Sequence, residues 1–316
     1  MFTNTTGNVS LNNILANVSL NLSSYNSSII IVSVNGNLST LSSKLIANGS
    51  VNYSTHSFGI NVTSSGTVTW TTTNVSMQLT CNNNSWYLGV FANVMNSQIS
   101  IASSQLNCSL SNNSQNIGVV GYSYNSNVSF SNVTGVVVVQ ASVQYSGFVA
   151  YTNLATLSFQ NSNVIATLNG SVSFGLVGQT YLQSVTIQNS CFNLNLGGYT
   201  ASSSNTALIG YIGNQTVTIT NVSLGGAANA MNSDYGNVAG YSSFSTITVQ
   251  NMNCSQNLLN TTGSYEIGFI AYATNDSINI TCLNISNQIQ LANDSGILMG
   301  MLFETPFYIQ NSTINS

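Results

Sequence analysis

The side chains able to carry acid–base, metal or nucleophilic chemistry are few: five acidic residues, one histidine, one lysine and five cysteines in 316 residues. Three of the acids, Asp234, Glu266 and Asp294, recur at intervals close to thirty residues. Carboxylates brought face to face could bind Ca²⁺ or act as acid and base on a glycoside. Chemistry on acidic polysaccharides also calls for a neighbouring cation, and Lys44 is the only Lys or Arg. The expected state is therefore three loop carboxylates spread by solvent, with Ca²⁺ as the less favoured occupant and no other metal. His56 sits in NYSTHSFG with no acidic neighbour. A Ser-His-Asp triad would have to form around it, and it reads instead as a loop or turn residue. Cys81, Cys108, Cys191, Cys254 and Cys282 show no C-x-x-C spacing, which argues against zinc. Cys254 falls in a core-facing phase. Cys81–Cys108 and Cys254–Cys282 are the conceivable disulfide pairs, and the odd count leaves at least one thiol unpaired within the chain.

Modification chemistry is far better represented. The chain holds 49 Asn and 82 Ser plus Thr, and 25 N-x-S/T sequons. Random placement, 49 × 82/316, gives about 13. An AT-rich coding bias would raise Lys along with Asn, and Lys occurs once. The excess therefore points to N-linked glycans in a secretory context. Asn48, Asn83, Asn112, Asn260, Asn275 and Asn293 are the expected acceptors, in polar stretches between repeat strands.

The elements that must position these residues follow from a repeat. GVVGY at 118–122 returns as GFVAY at 147–151, GLVGQ at 175–179, ALIGY at 207–211, NVAGY at 237–241 and GFIAY at 268–272. Weaker copies extend the series from residue 29 to residue 297, nine intervals spanning 268 residues, a mean of 29.8. Ten and twelve residues after each start comes an apolar pair, such as Val128/Phe130, Leu157/Phe159 and Ile247/Val249, among Ser, Thr, Asn and Gln. That period of two marks a strand with one buried face. A third short apolar segment follows near offset 17. Asn recurs at offset 14: Asn132, Asn161, Asn189, Asn221 and Asn251. Asn tolerates the left-handed backbone of a tight bend and can form an axial ladder when stacked. The even offset places this row in phase with the inward pair, and an inward Asn132 or Asn221 would escape glycosylation. Tyr122, Tyr151, Tyr211, Tyr241 and Tyr272 share offset 4 and are expected to stack.

The expected fold is all-β: a right-handed parallel β-helix of about 30 residues and three short strands per coil, ten to eleven coils forming one solenoid over 1–316, or a segment of a longer repeat protein. A propeller blade needs roughly 40 residues or more. The run Gly175-Leu176-Val177-Gly178, with Val-Thr-Ile about ten residues on, resembles the GLUG repeat of Asn/Ser/Thr-rich β-helical surface and adhesin-like proteins. The resemblance covers about residues 85–315. It implies a surface role and no catalytic residues.

Composition narrows the partners. Charged residues are 2%, against roughly 25% in ordinary domains, so phosphate backbones and anionic membrane surfaces find no cationic patch. With 43% hydrophobic residues the chain is not a disordered tail. Its longest apolar runs fall far short of the about 20 residues of a spanning helix. Residues 1–13 carry no recognisable secretion signal. The expected protein is a non-enzymatic, extracellular or cell-surface structural glycoprotein without cofactors beyond its glycans. It stacks head to tail with copies of itself into a fibre, coat or stalk. The alternative is an adhesin that binds carbohydrate or protein through one solenoid face.

Overall fold

The computed structural model describes the chain except residues 1, 6–8, 13–14, 23–29, 35–36, 52–54, 64–66, 82–84, 113–114, 141–143, 171, 199–203, 230–232, 261–266, 287–298 and 316. Among the described residues the chain is a parallel β-solenoid of about seven turns at about 29 residues per turn, with no helix. The larger count expected from the sequence period takes in terminal segments that lie partly outside the described residues.

One turn shows the design. Asn116–Tyr124 forms the first face, Asn127–Ser131 the second and Thr134–Gln140 the third. Each pairs in parallel with its equivalent one turn away: Tyr122 with Tyr151, Phe130 with Phe159, Val137 with Ala166. The apolar pair predicted at offsets 10 and 12 points inward. Val128, Phe130, Leu157, Phe159, Ile247 and Val249 are all buried, and the polar residues between them face out. Phe130 and Phe159 stack at 4.8 Å, and Phe130 meets Phe148 of the opposite wall edge-on at 4.9 Å. The core is thus a column of like side chains in van der Waals contact, the strands of each turn pairing with those of its neighbours.

Two of the three corners are tight, and one backbone device makes both. Asn132, Asn161, Asn189, Asn221 and Asn251 have φ of 52, 48, 48, 54 and 53°. A single left-handed residue turns the chain without interrupting the ladder: Asn132 N–H still reaches Gln160 O at 2.9 Å. The other tight corner has the same geometry at Asn96, Asn125, Leu154, Leu182, Asn214, Phe244, Asn275 and Glu304. The residue after the left-handed one turns inward at these corners, except after Leu182, where Gln183 is exposed. Where it is Ser or Thr its hydroxyl donates to the carbonyl two residues back, as Ser126 does to Tyr124 O (2.7 Å) and Ser190 to Gln188 O (2.7 Å). It also accepts a backbone N–H from the turn below, as Ser126 Oγ does from Ser97 (3.2 Å). The small hydroxyl satisfies backbone groups that a corner would strand away from water. The third corner lies largely outside the described residues.

The glycine that opens each repeat has a steric cause. A Cβ on Gly147 would lie 2.7 Å from Gly175 O, and one on Gly175 2.0 Å from Ala207 O. The first-face strand bulges there, and both flanking residues turn into the core. Where Ala207 replaces glycine, the strand breaks into Ser204–Thr206 and Ile209–Gly213.

Candidate functional site

The offset-14 asparagines lie outside, not inside. Asn132, Asn161, Asn189, Asn221 and Asn251 are all exposed. This corrects the inward phase read from their even spacing: the left-handed residue resets the alternation, so it is the next residue that turns in. Asn221 Nδ2 donates to Asn189 Oδ1 at 2.9 Å, and Asn251 Nδ2 to Asn221 Oδ1 at 3.0 Å. A second set of amide rungs escaped the sequence reading. Asn125 Nδ2 donates to Asn96 Oδ1 at 2.8 Å, and Asn284 Nδ2 to Asn253 Oδ1 at 2.8 Å.

The candidate acidic row is not brought together among the described residues. Asp234 is half-buried on the first face, in register with Asn205. Glu266 and Asp294 lie outside the described residues. No group of three or more His, Cys, Asp or Glu that could hold a metal occurs among the described residues. His56 stands in the strand Thr55–Thr63, not in a loop. The acid with a distinct environment is one that sequence reasoning passed over. Asp276 occupies the inward corner position that Ser97, Ser126 and Ser245 fill in other turns, and it is buried. Its Oδ1 accepts the Ser245 N–H, while Oδ2 has no hydrogen-bond partner. Burial pushes its carboxyl up to about 6, against the lowering effect of the Ser245 bond.

The cysteines do not pair as the sequence allowed. Cys108 and Cys254 are free and buried, Cys191 and Cys282 free and exposed. Cys254 points into the core and Cys282 outward, so that pair cannot bridge. Cys81 aligns with Asn112, four residues beyond Cys108, which excludes the other. Burial raises the Cys108 thiol to about 12 and Cys254 further, so both are inert hydrophobes.

The most extended chemical feature is a tyrosine column on the first face. Tyr87, Tyr122, Tyr151, Tyr181, Tyr211, Tyr241 and Tyr272 follow one another at centroid steps of 4.7, 5.3, 6.2, 5.1, 5.0 and 4.9 Å. Tyr122/Tyr151, Tyr211/Tyr241 and Tyr241/Tyr272 are stacked within 6 to 8° of parallel. The sequence row missed Tyr87 and Tyr181. Gln179 breaks offset 4, and Tyr181, two residues on, swings into the gap, its hydroxyl accepting from Gln179 Nε2 at 2.6 Å. Because the ring normals of the stacked pairs run from turn to turn, the column offers solvent edges and hydroxyls, not flat faces. Burial, and the mutual repulsion of phenolates one step apart, lift Tyr122 to about 12, so its phenol stays neutral at physiological pH.

Sequon asparagines with described side chains are almost all on the outside. Asn48, Asn74, Asn107, Asn127, Asn214, Asn275 and Asn279 are exposed, and Asn169 is half-buried. Asn112 and Asn260 end outer strands but their side chains lie outside the described set, as do Asn83 and Asn293 entirely. A notable recess is a shallow polar groove of about 500 Å³ along the tight corner between the first and second faces, lined by Asn96, Asn125, Asn127, Leu154 and Gln183 among others. Comparison with protein-family models, curated proteins and solved structures found no match.

Proposed function

We propose that this chain is a non-enzymatic structural glycoprotein of an extracellular or cell surface, akin to GLUG-repeat proteins, that stacks with copies of itself along the solenoid axis. The observation that carries the reading is the distribution of the outer surface: amide and hydroxyl rungs run along the axis, and sequon asparagines project from it. N-linked glycans would then cover the sides and leave the axis as the direction of association. The coil is right-handed and continues beyond the core turns to ten to eleven coils over residues 1–316, about 50 Å at the inter-strand spacing. Phe307 and Ile309 pack on the core and are half-buried, whereas Ile278 and Ile280 one turn earlier are fully buried. A strand edge with an apolar inner face recruits another strand unless it is blocked, and a contact of this head-to-tail kind that does not close gives filaments. Electron microscopy of the secreted protein tests the reading. Unbranched filaments with an axial repeat near 50 Å, lost in Ile309→Asp, are the expected result. Monodisperse monomers at micromolar concentration, or no mass loss on peptide-N-glycosidase digestion, count against it.

The tyrosine column favours a second reading, an adhesin face. Its ordered hydroxyls suit hydrogen bonding to an extended carbohydrate or protein strand. Binding lost in Tyr241→Phe without loss of filaments would favour that reading.

A further inference from the structure

The second face carries the most regular surface on the molecule. Its outward residues fall in three rows, and the middle row holds a hydroxyl at every turn from Ser100 through Ser129, Ser158, Thr186 and Thr218 to Thr248. All six are half-buried, none fully exposed and none covered. The two flanking rows, from Thr67 and Thr71 to Ser277 and Thr281, contain only Thr, Ser, Asn, Gln and one Ala. From Thr67 to Thr281 no charged side chain lies on this face; one turn further on, the exposed Tyr308 follows Asn279 in the middle row. The chain's composition does not by itself produce such order. The third face, cut from the same residues, exposes Val136 and Ile165 side by side and places Cys191 beside Asn163.

From this geometry we propose that the second face binds ice. Hydroxyls repeat about every 4.8 Å from turn to turn and, along five of the six strands, about every 6.7 Å, Gln98–Ala102 carrying Ser100 alone; both repeats are within about a tenth of the oxygen repeats on a prism face of hexagonal ice. A hydroxyl offers one donor and two acceptor lone pairs, the bonding capacity of a lattice water, Ser129 differing in that it donates to Ile99 O at 3.3 Å. The threonine methyls between them fill space without competing for hydrogen bonds. Charged groups would hold hydration shells of their own, and the face has none. Rigidity completes the match: every strand is paired on both sides and backed by a column of buried aliphatic and aromatic residues, so the array is ordered before the ice arrives. The hydroxyl row runs unbroken over the six turns named, enough for many simultaneous weak contacts. Asn127 and Asn279 are sequons on the face, and Asn214 and Asn221 bracket the stretch that carries Thr218, so the face is open to ice where these are free of glycan.

The test uses the full chain made in a host that adds no N-glycans. Wild-type protein is expected to separate melting from freezing point and to facet ice crystals at micromolar concentration. Thr186→Tyr, which lifts a ring above the plane, and Thr218→Lys, which introduces a hydrated charge, each lower the activity at least tenfold. Ser109→Tyr, on the third face, leaves it unchanged. Circular dichroism and thermal melts confirm that each variant is folded, and the two disruptive changes serve as independent checks. Absence of ice activity in the wild type overturns the proposal. So does equal activity in folded Thr186→Tyr and Thr218→Lys, or a Thr186-dependent attachment to crystalline cellulose or chitin without any effect on ice.

Discussion

At the scale of single residues, Asp276 is the position where chemistry and fold disagree. Its neighbours in the row donate a hydroxyl proton to the carbonyl two residues back, as Ser245 does to Ser243 O at 2.9 Å. An ionised carboxylate cannot donate, and Oδ2 is left buried and unpartnered. Only the protonated acid reproduces the row. The folded carboxyl is raised to about 6, above its unfolded value near 3.9, so its stabilising contribution is complete at low pH and is lost as pH rises through 6. Wild-type protein should therefore melt lower at pH 7.5 than at pH 5. Asp276→Ser should raise the melting temperature at pH 7.5 by an amount corresponding to about 1–2 kcal/mol and flatten the pH profile. An unchanged profile in Asp276→Ser would show that the dependence lies elsewhere. None of this was legible in the sequence. Asp276 there is the middle of a polar N-D-S, and only the corner geometry identifies it with Ser97 and Ser126. The asparagine row was legible as a row, but its direction was not, because counting in twos fails across a left-handed residue. The tyrosine column was legible at five rungs, and its repair by Tyr181 depends on a side chain reaching across from a different offset.

At the scale of an element, the tight corner repeats the same backbone with unequal residues. Asn is at home in a left-handed conformation, whereas a bulky side chain there costs roughly 1–2 kcal/mol. Leu154, Leu182 and Phe244 accept that cost at φ of 52, 55 and 51°. Phe244 is 64% exposed, so burial returns little in exchange. Ladder bonds fix the corner regardless: Phe244 N–H donates to Thr274 O at 3.0 Å. The geometry thus belongs to the stack and not to the local residue, which is why a propensity reading of Leu-Ala or Phe-Ser sees no turn. Phe244→Asn should stabilise the fold by about 1 kcal/mol, read as a higher denaturation midpoint with unchanged m-value. The substitution completes N-S-T, so the measurement belongs in a host without N-glycosylation. A lower midpoint would mean that the ring makes contacts worth more than the strain. Strands, by contrast, were legible almost throughout, since one face of each is buried and the alternation has a single solution.

At the scale of the whole molecule, the strands of each turn pair only with those of the turns beside it, and that makes the period itself testable. Thr156 and Ser184 are register partners, as are Phe159 and Ile187. Excising residues 156–183 removes one turn and joins Ala155 to Ser184, two points one axial step apart. The left-handed corner at Leu154 is retained, Phe130 comes to rest on Ile187, and Tyr151 on Tyr211. Thr152, whose buried hydroxyl donates to Thr180, comes to lie beside Ile212 and takes the Gln215 amide that Thr180 bonds in the full chain. Stability in a linear array is close to a sum of turn and interface terms, so the shortened chain should fold with a modestly lower melting temperature and the same circular dichroism per residue. Its length in solution should fall by about 4.8 Å. Excising only half as much, residues 156–169, brings the chain from the second face to the loop before the first and puts apolar positions in register with polar ones. That variant should be insoluble or molten. If both deletions fold equally well, the turns are not the units of the structure, and the axial stacking proposed for copies of the chain loses its physical basis, because it asks one molecule's last turn to act as the next molecule's neighbour.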